Sequence, residues 1–406
     1  MLPKTAIVIG SGIAGCSTAY ALAQRGVHVS LLERHTTIAS EASGNPLAML
    51  YPRLSGDNVA SQFALAGYLH SLRLFNSLDL ESADFNACGL LQLGFNAREL
   101  ARIKKVAAQN HSIDILKYVS QQEASSLAGI DVLYDALYFP HAAWVNPQSL
   151  CKRLTQHENI EVYTSINISK IMKNNNLFEI YFNESLIKKA DIVIIANANE
   201  AQHFSPSSHI LTQAVRGQVT QLEATEASQK LQMIVCSDGY LSPAVNHQHS
   251  LGATFSSEPF STNQADLAIT EYDHLANLKA LKTISNPFYL NLQNNVTAGR
   301  VALRCTTPDY FPLVGELIDS NALKTAPPRP NASTDSLPWI KGLYINVAHG
   351  SHGFTSAPLC AELLANLICN EPLAVSEELV SLLNPNRFLL RELGLKRLAK
   401  TIAISS

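Results

Sequence analysis

Residues 6–33 decide the fold: Ala6-Ile7-Val8-Ile9-Gly10-Ser11-Gly12-Ile13-Ala14-Gly15, a stretch in which Ala14, Ala19, Leu22 and Ala23 recur at helical spacing, then Val27 to Leu32 and Glu33. The first apolar run predicts a buried parallel strand, the glycines a tight turn, and the changed period a helix that leads to a second strand. Gly10 permits the turn, Gly12 lets the main chain approach a pyrophosphate, and Gly15 lets helix and strand pack closely. The free N–H groups of the first helical turn, at Ile13 and Ala14, face the phosphates. Glu33 follows the glycines at the distance of an acid that accepts hydrogen bonds from an adenosine ribose. A ligand-free turn would account for the glycines but not for Glu33. This unit alone leaves NAD and FAD both open.

Working outward, 406 residues exceed the length at which one core keeps growing, so two domains are expected. A composition of 47% hydrophobic and 16% charged residues supplies core for both. The net charge of −3 argues against a general polyanion binder and leaves any nucleic-acid partner to a local patch. Cys16, Cys88, Cys151, Cys236, Cys305, Cys360 and Cys369 are odd in number and have no C-x-x-C spacing. They predict a reducing, cytoplasmic setting and neither a disulfide framework nor a metal site. Met1 to Lys4 leads directly into the first strand, so neither a secretory leader nor a transmembrane segment is expected there.

The remaining elements read as follows. Phe63 to Leu78 has a helical rhythm, Cys88 to Gly94 is strand-like, Ala97 to Gln109 is an amphipathic helix, and Pro147 opens a helix after Trp144, which reads as a rim or pocket residue or, in preference, as a core or interdomain wedge. Ile160 to Ile171 and Leu177 to Phe182 predict an antiparallel pair. Ala190 to Ala198 is a buried parallel strand ending in small residues. Gly239 to Pro243 and Ser250 to Phe255 predict neighbouring antiparallel strands, with His247 and His249 as exposed turn residues. A helix is expected within 261–292. Asp319 to Trp339, rich in proline, has no apolar period and predicts a surface excursion. Leu343 to Ala348 restores a buried strand. Then come the glycine-rich turn His349-Gly350-Ser351-His352-Gly353-Phe354-Thr355 and a helix from about Ser356 to Ile368, with Pro358 in its first turn.

The opening glycines and Glu33, with Ala42-Ser43-Gly44-Asn45 before Leu50-Tyr51-Pro52, resemble the flavin oxidoreductases of the D-amino-acid oxidase and glycine oxidase class. More narrowly, with Arg216-Gly217-Gln218, Arg304-Cys305, Ser356-Ala357-Pro358-Leu359-Cys360 and Asn384-Pro385-Asn386-Arg387, the chain is similar to the FAD-dependent half of the bifunctional enzymes of tRNA 5-methylaminomethyl-2-thiouridine biosynthesis. The resemblance implies an α/β fold: a Rossmann-like FAD-binding domain of residues 1–80, 141–215 and 299–406, interrupted by an α+β substrate domain with an antiparallel sheet at 81–140 and 216–298. It moves the cofactor from NAD to FAD, because the second glycine-rich turn would let both ends of the chain clasp a flavin. Gly10, Gly12, Ile13, Ala14, Gly15, Glu33, Ser43, Gly44, Asn45, Gly350, Ser351, Gly353, Phe354 and Thr355 are the implied cofactor residues.

Related enzymes that tether FAD do so six residues before the proline of Thr-Pro-Asp. That position is Ala302 here, so non-covalent FAD is implied and Cys305 is left to packing. The resemblance assigns Arg304 to the substrate carboxylate, a role that suits a permanently charged, rigid guanidinium fork, and Tyr240 to substrate orientation. It implies oxidation of a carboxymethylaminomethyl group on a tRNA wobble uridine, with aminomethyl-uridine and glyoxylate as products. Because the chain begins at the FAD strand, methyl transfer is expected to belong to a separate methyltransferase polypeptide or to be absent. Two other readings stay open: an oxidase or dehydrogenase of free glycine, sarcosine or a D-amino acid, and a non-catalytic FAD-stabilised binding protein. Arg387, Arg391, Lys396, Arg397 and Lys400, against the single acid Glu392, form a C-terminal basic segment expected to meet tRNA phosphates.

Overall fold

Ala6, Ile7, Val8 and Ile9 are all buried, and a run apolar on both faces is what a strand covered on both sides requires. In the computed structural model, which describes residues 2–256, 267–329 and 331–400, Thr5–Ile9 lies near the middle of a six-stranded sheet. The order is Leu313–Ile318, Trp339–Val347, Ile192–Ile195, Thr5–Ile9, His28–Leu32, Ile160–Tyr163. Every neighbouring pair is parallel except the first, where Leu313 pairs with Val347 in antiparallel register. The helices Ile13–Ala23 and Gly353–Cys369 belong to this unit, and each is buried on almost all sides.

The chain divides into two compact units. One is Met1–Gly44, Gln148–Ala214 and Arg304–Ser406; the other is Asn45–Pro147 and Val215–Leu303. The second is built on a mixed eight-stranded sheet, in the order Val296–Thr306, Gln213–Glu223, Gln248–Gly252, Tyr240–Leu241, Ile234–Cys236, Leu90–Leu93, Ala136–Phe139, Lys117–Val119. Ile234–Cys236 runs parallel to Leu90–Leu93, so the sheet is not uniformly antiparallel. Its core gathers Leu91, Val119, Leu222, Val235, Leu251, Leu281 and Phe288. Residues 45–80, expected with the dinucleotide domain, fall in this unit. There Ala48–Leu50 pairs with Ala143–Val145, and Leu47 and Leu54 pack with Ile103 and Phe139.

Several local expectations change. Ile160–Tyr163 extends the parallel sheet, while Lys170–Asn174 alone forms the hairpin with Leu177–Phe182, and Ser185–Ala190 adds a third strand to it. Trp144 is a core residue, packed with Leu90 and Phe139. His249 is not an exposed turn residue. It is fully buried, with Nδ1 2.8 Å from the Ser242 carbonyl and Nε2 2.8 Å from the Ser228 hydroxyl. His247, at φ +62, does occupy the turn. In place of one helix over 261–292 there are two, Glu271–Leu281 and Asn286–Leu292; the expected start at 261–266 lies outside the described residues. Within the proline-rich excursion Ser320–Thr325 is helical. The last long helix starts at Gly353, so Pro358 sits inside it and not in its first turn.

Candidate active site

The first glycine turn is forced by sterics. Gly10 has φ +101, and a Cβ there would lie 2.7 Å from the Ala196 carbonyl oxygen; one on Gly15 would lie 1.7 Å from the Gly10 oxygen. Such contacts exclude any side chain and bring the end of Ile192–Ile195 against the turn. The first intrahelical bond runs from Cys16 N–H to Gly12 O at 2.9 Å, so the amides before it point out of the helix start, a geometry that suits an anion. One of them is already used: Ile13 N–H donates to Ser43 Oγ at 3.0 Å. Ser43 therefore caps the helix from the short turn Ala42–Gly44. Asn45 falls in the second unit, where its Oδ1 accepts from Arg300 Nη1 at 2.8 Å.

Glu33 is buried at the end of its strand. Its Oε2 accepts from Ser11 N–H and Oγ–H at 3.0 and 2.5 Å, and its Oε1 accepts from His35 N–H at 2.8 Å. These bonds fix the carboxylate while leaving lone-pair capacity on Oε1 for a ligand hydroxyl. Beside Gly10, the chain leaves its strand through Asn197 and through Ala198, which takes φ +53, a left-handed conformation that its small side chain tolerates. The side-chain oxygens of Asn197 and Asn199 are buried with no hydrogen-bond partner among the described residues. A buried acceptor without a donor is costly, and here two of them lie near the carboxyl ends of parallel strands, where α/β folds take their ligands. The sequence drew attention to this turn only for its small residues.

The second glycine turn abuts the first. A Cβ on Gly353 would lie 3.3 Å from Ile13 Cγ2, and one on Gly350, at φ +57, 3.5 Å from Thr306 Oγ1. Ser351 and Gly350 lie in the short turn before the helix, whereas Gly353, Phe354 and Thr355 are its first residues. A hydrogen-bonded relay pins this helix to the first. Thr18 Oγ1 donates to Ala14 O at 2.7 Å and accepts from Asn346 Nδ2 at 3.0 Å. Asn346 Oδ1 then faces His349 Nε2 at 2.9 Å, which assigns the proton to Nε2, and Nδ1 faces Ser356 Oγ at 2.9 Å, a hydroxyl that also donates to the His352 carbonyl at 3.0 Å. Burial lowers the His349 pKa to about 3, so the ring is neutral. His349 is thus a clamp, and Asn346 and Thr18 are partners that no sequence pattern announced.

Arg304 and Thr306 belong to the strand Val296–Thr306. Successive strand residues point to opposite faces. Cys305 is 4% exposed and packs with Ile9, Ile195 and Val347, so Arg304 and Thr306 share the other face, and Thr306 reaches the second glycine turn. Burial pushes the Cys305 thiol up to about 12, which suits packing and not a thiolate tether. After Thr306 the chain turns through Thr307–Pro312, and a fully buried Arg387 grips that turn. It donates to Asp309 at 2.7 and 3.0 Å and to the carbonyls of Phe311, Pro312 and Asn384. Burial raises the Asp309 pKa, but the Arg387 guanidinium outweighs it and holds the carboxyl below its usual range. Arg387 therefore leaves the expected basic segment: it is a structural residue. Tyr240, in the second unit, is partly exposed on its strand, with Oη 3.5 Å from Ser250 Oγ. Among the described residues no His, Cys, Asp and Glu cluster could hold a metal, and no helix is long and apolar enough to cross a membrane.

A Rossmann crevice with a second helix start abutting the first suits a dinucleotide cofactor such as a flavin, whose pyrophosphate a glycine turn at a helix start can receive. The chain belongs to the FAD dependent oxidoreductase (DAO) family, whose model matches residues 5–367. It is 42% identical over 400 residues to the tRNA 5-methylaminomethyl-2-thiouridine biosynthesis bifunctional protein MnmC of Methylobacillus flagellatus, covering 98% of this chain and 61% of that protein. Against the MnmC of Pseudomonas savastanoi the figures are 39% over 404 residues, 96% and 60%. The chain thus spans about three fifths of the length of these relatives. Glycine oxidase from Geobacillus kaustophilus superposes with a TM-score of 0.76 at 19% identity, covering 94% of this chain and 98% of that one. L-proline dehydrogenase from P. horikoshii gives 0.76, 19%, 95% and 98%. At that identity the structures share the fold. FAD is the cofactor, and the burial of Cys305 fits a non-covalent one.

Proposed function

We propose that this protein oxidises the carboxymethylaminomethyl group of a tRNA wobble uridine, FAD taking the two electrons and water hydrolysing the resulting imine to aminomethyl-uridine and glyoxylate. The observation that carries the reading is identity of 42% across 98% of the chain to a protein named for biosynthesis of that class of tRNA nucleoside. Bound FAD supplies a two-electron acceptor for the carbon between the amine and the carboxylate.

The chain's own residues orient and polarise. Arg304 grips the carboxylate with a fork that cannot lose its charge, which fixes the neighbouring methylene and offsets the entropy of alignment. The start of the helix at Gly353 would offer its positive end to a bound flavin and favour negative charge there. Gly10, Gly12, Ala14 and Gly15 would receive the pyrophosphate, with the Ile13 amide held by Ser43 beside them; Glu33 would take the ribose, and Asn197 and Asn199 would supply acceptors at the strand ends. Ser43, Gly44, Gly350, Ser351, Phe354 and Thr355 complete the enclosure, and Tyr240 is assigned to substrate orientation. Asn45 is proposed to act through its bond to Arg300, which fixes that arginine.

The test is anaerobic mixing of the FAD-loaded protein with tRNA carrying the carboxymethylaminomethyl group, with the flavin absorbance followed. Bleaching by that tRNA, and not by unmodified tRNA, is expected. Bleaching by free glycine or sarcosine alone would replace the reading with an amino-acid oxidase. Silence towards every amine would leave an FAD-stabilised binding protein.

A further inference from the structure

The chain carries a net charge of −3, yet one surface of its first unit is basic. The leucines Leu323, Leu337, Leu389, Leu390, Leu395 and Leu398 form a separate small core, which gathers the helix Ser320–Thr325, the proline-rich excursion and the C-terminal segment. Arg397 donates to the Ala332 carbonyl, and Ala332 N–H to the Arg329 carbonyl, so excursion and C-terminal segment are tied directly. Residues 319–337 and 388–400 together hold six cations against the three acids Asp319, Asp335 and Glu392. Lys324, Arg329, Arg391, Arg397 and Lys400 are all exposed. Asp319, itself exposed, caps its own helix, accepting from Asn321 and Ala322 N–H at 2.9 Å.

An aromatic ring borders this surface. Tyr310 is 73% exposed and sits at φ +61, a conformation that costs a bulky residue free energy. What holds it there is the Arg387 grip on Asp309 and on the carbonyls of Phe311 and Pro312. Arg391 approaches the same Asp309 at 3.6 Å, so the ring and the basic segment meet at one carboxylate. A buried arginine that immobilises an exposed aromatic beside cations is an arrangement for stacking a base while neighbouring charges take phosphates.

Resting on the reading above, we infer that Tyr310 with Lys324, Arg329, Arg391, Arg397 and Lys400 forms an RNA-docking surface, the cations on backbone phosphates and Tyr310 on an unpaired base. A cation-only surface would hold RNA without telling a loop from a duplex. The ring adds a preference for splayed, single-stranded nucleotides, the form in which an anticodon loop presents its bases.

The experiment is filter binding of an anticodon stem-loop carrying the modified uridine, between about 50 and 200 mM salt, with FAD content and melting temperature measured on every variant. Lys324→Gln with Arg329→Gln, and separately Arg397→Gln with Lys400→Gln, lower the slope of log affinity against log salt by about 1.4–1.8, at roughly 0.7–0.9 per lost phosphate contact. Tyr310→Gly, whose backbone is at ease at positive φ, weakens binding by about fivefold to a hundredfold at every salt with the slope unchanged. Tyr310→Trp restores it. Parent-like affinity and slope in all of these variants overturn the surface. So does loss of FAD or of melting temperature in step with binding, or a variant that loses anionic vesicles while keeping RNA. If the modified RNA binds and bleaches parent and variants alike, the surface is wrong and the proposed reaction stands. If it neither binds nor bleaches the parent, the reaction reading falls and this inference with it.

Discussion

Arg304 and Cys305 are neighbours in one strand, and the two-residue period of that strand gives them opposite roles: the thiol joins the core, and the guanidinium turns to the face that Thr306 shares with the second glycine turn. Arg304→Ala is expected to keep FAD while flavin reduction by the carboxylated amine weakens, by roughly 1.5–3 kcal/mol for one charge-assisted contact. Stopped-flow reduction with retained flavin absorbance checks this, and reduction rates equal to the parent's would remove the residue from the site. Cys305→Ser is expected to leave the flavin releasable by acid precipitation, as in the parent; flavin that stays with the pellet of the parent would contradict non-covalent binding. His349 carries the pH prediction. Its folded-state pKa, about 3, lies below the unfolded value near 6.5, so the unfolded chain binds the extra proton between them. The contribution is fully present above pH 6.5 and is lost as pH falls towards 3. Melting followed from pH 7 to 5 should therefore show a shallower acid loss for His349→Gln than for the parent, and equal slopes would deny the neutral clamp.

The two glycine-rich helix starts work as a pair. Gly353 faces Ile13 at a distance that a single Cβ would close to 3.3 Å, and the Thr18–Asn346–His349–Ser356 relay fixes one helix against the other. Gly353→Val should expel or weaken FAD while the six-stranded sheet persists. The measurement is flavin retained after gel filtration, with circular dichroism as the control for folding, and full retention would separate this helix from the cofactor. Asn346→Leu is a milder version, since it breaks the relay without filling the cleft. It should leave the His349 Nε2–H without an acceptor and take from Thr18 Oγ1 one of its two bonds, lower the melting temperature, and reduce flavin retention less than Gly353→Val does.

Binding of FAD couples to the stability of the first unit as a whole. A ligand held only by the folded state stabilises by RT ln(1 + [L]/Kd), about 2.7 kcal/mol at a hundredfold excess over Kd. The apoprotein is therefore expected to melt lower than the holoprotein, with the difference growing as free FAD is added. Melting temperatures independent of FAD would mean that the crevice between the helix starts does not hold it.

The strand, turn, helix and strand of residues 6–33 were legible without coordinates because their causes are local. No side chain fits at Gly10 or Gly15, a buried run needs two apolar faces, and an acid at a fixed offset needs a ribose. The second glycine turn and Arg304 were legible as residue types in a familiar order. What remained hidden depends on partners distant in sequence. Arg387 counted as one cation of a basic tail until the fold set Asp309 against it, 78 residues away. His249 passed for a turn residue until Ser228 and Ser242 enclosed it, and residues 45–80 changed units because Leu47 and Leu54 pack with Ile103 and Phe139. The start of the last helix shifted to Gly353 because tertiary burial holds a proline that an isolated helix would place near its end. Backbone sterics and periodicity act over a few residues and can be read in order along a chain. The pairing of a buried charge, the tautomer of His349 and the gathering of six cations around one leucine core are set only when distant segments meet.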